Sequence, residues 1–258
     1  MSTAVSLPRA PSSRLDGRRA LVTGAGRGLG VACAAALAQA GAHVTLAARS
    51  ADETGAVAEA IRAEGGQAAA MTLDVCDLSA AAAAVAAAEP FDILVNNAGT
   101  NRPRAFLDVT ADDYDAIMGL NVRAAFFMAQ AVARRLAGAG RPGSIIHMSS
   151  QMGHVGGARR TAYCASKHAV EGLCKAMAVE LGPLGIRVNT ICPTFIETPL
   201  TRPYFEDAAF RADVLGRIKL GRLGQPADLM GAVVFLASDA SALMTGSALM
   251  VDGGWTAE

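Results

Sequence analysis

The chain is poor in aromatic residues and in charge. Phe, Tyr and Trp make up 5% of its 258 residues, and Asp, Glu, Lys and Arg only 18%. Lys+Arg and Asp+Glu are both 23, which gives a formal net charge of +0 and a sequence pI near 6.9. Such a balance lacks the broad positive field that holds DNA, RNA or an anionic bilayer surface, so neither a nucleic-acid nor a membrane partner is expected. It also gives little protection against self-association, which suits an oligomer. Cysteine is scarce as well. The five, Cys33, Cys76, Cys164, Cys174 and Cys192, form no C-x-x-C pair and none has a histidine at metal-ligand spacing. That argues against a disulfide framework or a metal centre, and for small buried apolar residues in a reducing, cytoplasmic setting. The most apolar run, 78–88, is alanine-dominated and shorter than the roughly 20 residues that cross a bilayer. Residues 1–16 are rich in Ser, Pro and Arg without the apolar core of a signal peptide, and read as a flexible N-terminal arm.

What is abundant is apolar, at 52%, together with 27 glycines. From residue 18 onward, short apolar runs at 19–23, 43–47, 67–73, 91–95, 144–148, 186–191 and 247–251 read as strands. Between them lie helical stretches at 28–40, 51–64, 78–88, 110–136, 163–181 and 226–237, with Thr110 as an N-cap. Strands that are continuously apolar rather than alternating belong to a parallel sheet covered on both faces. The expectation is a single-domain α/β, doubly wound Rossmann fold over 17–258, of about seven strands. Its ligand then sits off the carboxyl ends of the strands. The irregular stretch at 194–224 is where a substrate lid belongs.

Thr23-Gly24-Ala25-Gly26-Arg27-Gly28-Leu29-Gly30 joins the first strand to the first helix. Glycines there let a pyrophosphate approach the backbone, and the helix N-terminus offers free N–H groups. The second strand ends in Ala47-Ala48-Arg49-Ser50. No carboxylate is present to take the ribose hydroxyls of NAD, whereas Arg49 and Arg27 suit a 2′-phosphate. NADP(H) is therefore favoured, with NAD(H) as the alternative. Asp74, ahead of a helix, is a possible cap. Tyr163 and Lys167 stand four apart on one helix face, where an ammonium pulls a phenol down from its usual pKa near 10. Ser149 and Ser150 end the fifth strand, and Asn121, inside a helix, either has a compensating role or faces solvent.

The pattern TGxxxGxG, the Asn96-Asn97-Ala98-Gly99 element, Tyr163-x-x-x-Lys167, the run from Cys192 through Thr198 and the closing Val251-Asp252-Gly253-Gly254 together resemble the short-chain dehydrogenase/reductase family. The likeness spans about residues 17–255 and is nearest to 3-oxoacyl-carrier-protein reductases and gluconate-type dehydrogenases. It implies interconversion of a secondary alcohol and a ketone. Tyr163 serves there as acid/base, Lys167 as its modulator and ribose ligand, Ser150 as the group on the substrate oxygen and Asn121 as keeper of a proton relay. The resemblance assigns cofactor contacts to Thr23, Gly24, Arg27, Gly28, Leu29, Gly30, Arg49 and Ser50. It gives Asp74 the adenine amino group, with Val75 packed beside the ring. Asn97, Ala98 and Gly99 back the nicotinamide ribose, and Pro193, Thr194, Phe195, Ile196 and Thr198 meet the carboxamide. Thr194 stands where the family usually has glycine. A homotetramer is implied, with helices 110–136 and 163–181 in one interface and the last strand in another.

On the substrate side, a small carbonyl or alcohol compound is expected to meet Gln151, Met152, His154, Tyr204 and Phe205. Arg159 and Arg160 read as a solvated loop before they read as ligands of an anion, and His147 as a core residue. A non-catalytic dinucleotide sensor is the rival class, but it is free to lose Tyr163 or Lys167, and both are present. A longer epimerase or dehydratase needs a substrate domain for which there is no room.

Overall fold

The computed structural model describes residues 7–258. The first part of the expected arm, 1–6, lies outside the described residues. Residues 7–14 are exposed, without helix or strand. The chain joins the body one or two residues earlier than the sequence suggested. Leu15 is only 1% exposed, and its amide donates to the Ala40 carbonyl at 2.8 Å.

Seven strands form one sheet: β1 (Arg19–Thr23), β2 (His43–Ala48), β3 (Gln67–Thr72), β4 (Ile93–Asn96), β5 (Gly143–Met148), β6 (Ile186–Pro193) and β7 (Ala248–Val251). Their order is β3-β2-β1-β4-β5-β6-β7, and every pairing is parallel. Thr23 pairs with Ala47 and Val22 with Val95, so the carboxyl ends of the central strands finish level. Helices α1 (Leu29–Gln39), α2 (Ala51–Ala63) and α8 (Ala227–Ala237) meet one face, where Leu37, Val44, Ile146 and Leu236 are buried together. On the other face, α3 (Leu78–Ala87), α5 (Ala125–Gly138) and α6 (Thr161–Leu181) enclose Leu21, Leu94, Met128, Leu136 and Cys174. Burying each such side chain is worth about 1.5–3 kcal/mol, which is why β1, β4 and β5 carry no polar alternation. Strand order reverses between β1 and β4, and that reversal opens the crevice in which a doubly wound sheet holds its ligand.

The stretch expected as one long α-helix is interrupted. α4 (Ala111–Met118) begins with a capping box: the Thr110 hydroxyl accepts from the Asp113 amide at 3.2 Å, and the Asp113 carboxylate accepts from the Thr110 amide at 3.5 Å. Gly119–Ala124 is then π-helical, and α5 continues to Gly138. The widened turn has anchors on both sides. Asn96 Nδ2 donates to the Ala125 carbonyl at 2.9 Å, and Asn121 is drawn into bonds with Thr100. Such single π-turns gather at functional sites because they release backbone groups from the helical ladder. Ala111–Gly138 taken together has the length of a membrane span, and its most apolar window of 18 residues has a mean hydropathy of 1.4. Its inner side, with Met128, Val132 and Leu136, is packed against the sheet.

Residues 194–224 are more ordered than their irregular pattern suggested. They contain a 3₁₀ segment, Arg202–Glu206, and helix α7 (Ala208–Arg217), whose N-cap Asp207 accepts from the amides of Ala209 and Phe210 at 2.9 and 3.1 Å. Val214, Ile218 and Leu223 form a satellite core with Phe195, Phe205, Phe210 and Trp255. A short helix of mixed composition beside an aromatic cluster carries little periodic signal, but Asp207 was a legible start.

Candidate active site

A cavity of about 640 Å³ runs along the carboxyl ends of β1, β2, β4, β5 and β6. At one end, Gly28 caps α1 in the left-handed region at φ 60, with no side-chain cap and no acid in the first helical turn. The α1 amides are thus left for a ligand. Gly24, Arg27, Gly28 and Leu29 line the cavity, but Gly30 does not. A Cβ at Gly30 would stand 2.2 Å from the Gly24 carbonyl oxygen, so its lack of a side chain is what lets α1 lie against the loop. Thr23 does not reach the cavity either. It is 1% exposed, and its hydroxyl accepts from the amides of Asn97 and Ala98, both at 3.1 Å. Asn97 Nδ2 returns the tie by donating to the carbonyls of Thr23 and Gly24 at 2.9 and 3.2 Å. These two residues clamp the glycine loop to the end of β4.

Arg49, Ser50, Asp74 and Val75 line the same end. Asp74 is not the cap of α3. That role belongs to Asp77, which accepts from Ala80, while Asp74 accepts from the Cys76 amide at 2.9 Å. Glu53, unnoticed in the sequence, also lines the cavity, close enough to Gly26 that a Cβ there would meet its carboxylate at 2.7 Å. The only hint was the Ser50 cap that fixes its amide. Asn97, Ala98 and Gly99, and across from them Pro193, Thr194, Phe195, Ile196 and Thr198, line the middle. Thr194 introduces no strain, because Arg159 is the sole non-glycine residue with positive φ among those described. Its hydroxyl instead accepts from Gln151 Nε2 at 3.4 Å. Thr100, Asn101, Leu120, Met148 and Thr201 complete the lining without having been singled out in the sequence.

The far end gathers Ser150, Tyr163 and Lys167. Ser150 Oγ donates to Gln151 Oε1 at 2.7 Å and accepts from the Met152 amide at 3.1 Å. Lys167 Nζ donates to the Met148 carbonyl at 2.8 Å and lies 5.5 Å from the centre of the Tyr163 ring. Burial lowers the lysine to about 8. Tyr163 goes the other way from the sequence expectation: burial raises its phenol, opposed by Ser150 and by the charge of Arg160, and Lys167 is not among its causes. Burial of the phenol penalises the phenolate more than Ser150 and Arg160 favour it. Asn121 does not face the cavity. It is 2% exposed, accepts from the Thr100 amide at 2.8 Å, and donates to the Thr100 carbonyl and Ser166 Oγ at 2.9 and 3.1 Å.

The substrate-side expectations divide. Gln151, Met152 and Tyr204 line the cavity, and His154 and Phe205 do not. Phe205 stacks against Phe210 in the satellite core. His154 Nε2 lies 3.5 Å from both Cys192 Sγ and Glu171 Oε1, and Glu171 also accepts from Cys192 and from Thr190. That network ties α6 to β6, with His154 at its exposed edge. His147 is buried and pushed down to about 4, with Nδ1 3.5 Å from Asn96 and Nε2 unpaired. Arg159 is exposed, but Arg160 overturns the solvated-loop reading: it lines the cavity with its guanidinium over Phe195 and Phe210, 5.2 and 5.6 Å from the ring centres.

Residues 24–256 match the family model described as Enoyl-(Acyl carrier protein) reductase, and the D-erythrulose reductase of Gallus gallus is 42% identical over 95% of this chain and 98% of its own. The chain belongs to the short-chain dehydrogenase/reductase family. This short-chain dehydrogenase/reductase is also similar to the gluconate 5-dehydrogenase of Gluconobacter oxydans, 40% identical over 94% of this chain and 96% of that one. Among solved structures it resembles a gluconate 5-dehydrogenase from Burkholderia cenocepacia in complex with NADP and tartrate, with TM-score 0.92 and 39% identity over 95% and 98% of the two chains. As a member of this family the enzyme is an NAD(P)(H)-dependent oxidoreductase acting on CH–OH and C=O groups.

Proposed function

We propose that this enzyme uses NADP(H) to interconvert a secondary alcohol and a ketone on a small polyhydroxylated compound of the sugar or polyol class. The observation that carries the reading is the convergence of Ser150, Tyr163 and Lys167 at one end of a cavity whose other end holds Arg27 and Arg49. The residues fit a dinucleotide: glycine-only space at Gly30, uncapped α1 amides and two guanidinium groups without ion pairs among the described residues. Arg27 and Arg49 would take the 2′-phosphate, the loop from Gly24 to Leu29 the pyrophosphate, and Asp74 and Val75 the adenine. Pro193, Thr194, Phe195, Ile196 and Thr198 would hold the nicotinamide end. When bound, the nicotinamide supplies or accepts the hydride.

Tyr163 gives its phenolic proton to the forming alkoxide, or removes it from the alcohol. Ser150 holds the substrate oxygen beside Tyr163 and stabilises the charge that develops on it. Lys167 stabilises the phenolate as positive charge gathers at the site. Asn121 acts through position: by fixing Thr100 and Ser166 it keeps the π-turn open beside Lys167. A homotetramer is part of the proposal, supported by the part-exposed helices 111–138 and 161–181. Five free thiols support a reducing, cytoplasmic setting.

The test is Tyr163→Phe, assayed with NADPH and a panel of ketoses and keto-acids. Turnover falls about a thousand-fold while NADPH affinity, followed by nucleotide fluorescence, stays within a few-fold. Full activity in this variant removes Tyr163 from the mechanism.

A further inference from the structure

The relatives named above act on neutral and on acidic compounds alike, and Arg160 distinguishes the two possibilities for this chain. The geometry points to Arg160 as the anchor for a carboxylate on the substrate, which makes the natural substrate a sugar acid. The inference rests on the proposed polyol chemistry and deepens it.

Arg160 is half-buried where α6 begins, one turn ahead of Tyr163, so its guanidinium and the phenol share one wall of the cavity. Two aromatic faces, Phe195 and Phe210, hold it in place. Those contacts fix a cation but do not neutralise it. Arg102 and Arg104, by contrast, both pair with Asp113. Arg160 forms no ion pair among the described residues. None of its nitrogens is sealed from solvent without a partner, so its donors face open space.

A partly dehydrated, immobilised guanidinium without a counter-ion is a costly arrangement for a surface residue. Burial already depresses Arg160, opposed only by the weak pull of tyrosines and a thiol. A bidentate carboxylate removes that cost and fixes the orientation of the carbon chain relative to Tyr163. A neutral alditol has no group that does so. The acyl chain of a carrier-protein substrate also lacks a carboxylate at this depth. Tyr204 and Gln151, which line the same region, suit the hydroxyls along the chain.

The experiment compares D-gluconate with D-glucitol, which differ at the carboxylate, in wild type, Arg160→Met and Arg160→Lys. The ratio of kcat/KM for gluconate to that for glucitol drops at least thirty-fold in Arg160→Met, chiefly through KM, and Arg160→Lys recovers part of it. In parallel, tartrate is titrated calorimetrically into each protein with and without NADP⁺. Its affinity falls at least ten-fold in Arg160→Met, whose fold is checked by circular dichroism. A ratio unchanged within three-fold, or equal tartrate binding by folded wild type and variant, overturns the assignment. If wild type turns over no polyol or ketone at all, the proposed function fails, and the tartrate titration still decides Arg160.

Discussion

The buried His147 makes the fold sensitive to acid. His147 sits in β5 behind Ser149 and Ser150, held near 4 first by burial and then by the charge on Lys167. Its ordinary value is 6.5, so on acidification the unfolded chain takes the proton before the folded one does. The stabilising difference is complete above pH 6.5 and is lost as pH falls from 6.5 toward 4, with a ceiling of about 3 kcal/mol. Urea midpoints of wild type should fall across that window, and His147→Gln should flatten the fall. Parallel acid profiles for the two proteins would remove His147 as the cause. Coenzyme choice is the other residue-scale prediction. Ala48→Asp with Arg49→Leu supplies the missing ribose acceptor and deletes one phosphate ligand, so the NADP/NAD ratio of kcat/KM should drop at least ten-fold. Glu53, close to the same loop, predisposes the site to this change, and an unaltered ratio would show that β2 does not choose the coenzyme. Arg49 stood out because it follows Ala48, where an acid is missing at a fixed strand end, and Arg27 because it stands in the glycine loop. Glu53 did not, because its approach to Gly26 depends on how α2 lies against the glycine loop.

At the scale of elements, the sequence read well wherever burial alone decides. The apolar runs of β1, β2 and β5 and the Thr110 cap lie within a residue or so of their sequence-derived places, since a fully buried parallel strand admits no other composition. The π-turn at Gly119–Ala124 was hidden, because nothing in Leu120-Asn121-Val122 differs from an ordinary α-helix with one awkward asparagine. What widens the turn is long-range: Asn96 of β4 bonds to Ala125, and Thr100 bonds twice to Asn121. Asn121→Leu therefore leaves the half-buried Thr100 amide and carbonyl without their side-chain partner, at a cost of about 1–3 kcal/mol. Denaturant unfolding should register that loss, and hydrogen exchange should show α4 and α5 relaxing toward a continuous ladder. A variant as stable as wild type would mean that the π-turn holds itself. The same logic explains why Thr23 and Gly30 read as cofactor contacts but turned out to support the loop. Motif spacing marks which residues build a site without saying which of them face it.

At the scale of the whole molecule, α4, α5 and α6 carry large apolar side chains that a single chain leaves uncovered. Phe126 and Phe127 on α5 are 40% and 39% exposed, Tyr114 on α4 is 47% exposed, and Val179 on α6 is 78% exposed. Only 39% of the most apolar window of Ala111–Gly138 is buried within one chain, and with no net charge there is little to keep two copies apart. In the proposed tetramer, pairing of α4, α5 and α6 with those of a second copy would cover that surface about a two-fold axis. β7, paired only to β6, leaves a second edge for the other contact of a tetramer. Phe126→Glu with Phe127→Glu places two carboxylates in the first of these interfaces while leaving the cavity lining untouched. Sedimentation velocity should then show the tetramer breaking to dimers through the remaining β7 contact. The helices behind Tyr163 and Lys167 lose their cover in those dimers, so thermal stability should fall together with assembly. A wild-type chain that sediments as a monomer at micromolar concentration contradicts the arrangement, as does a double variant that remains tetrameric.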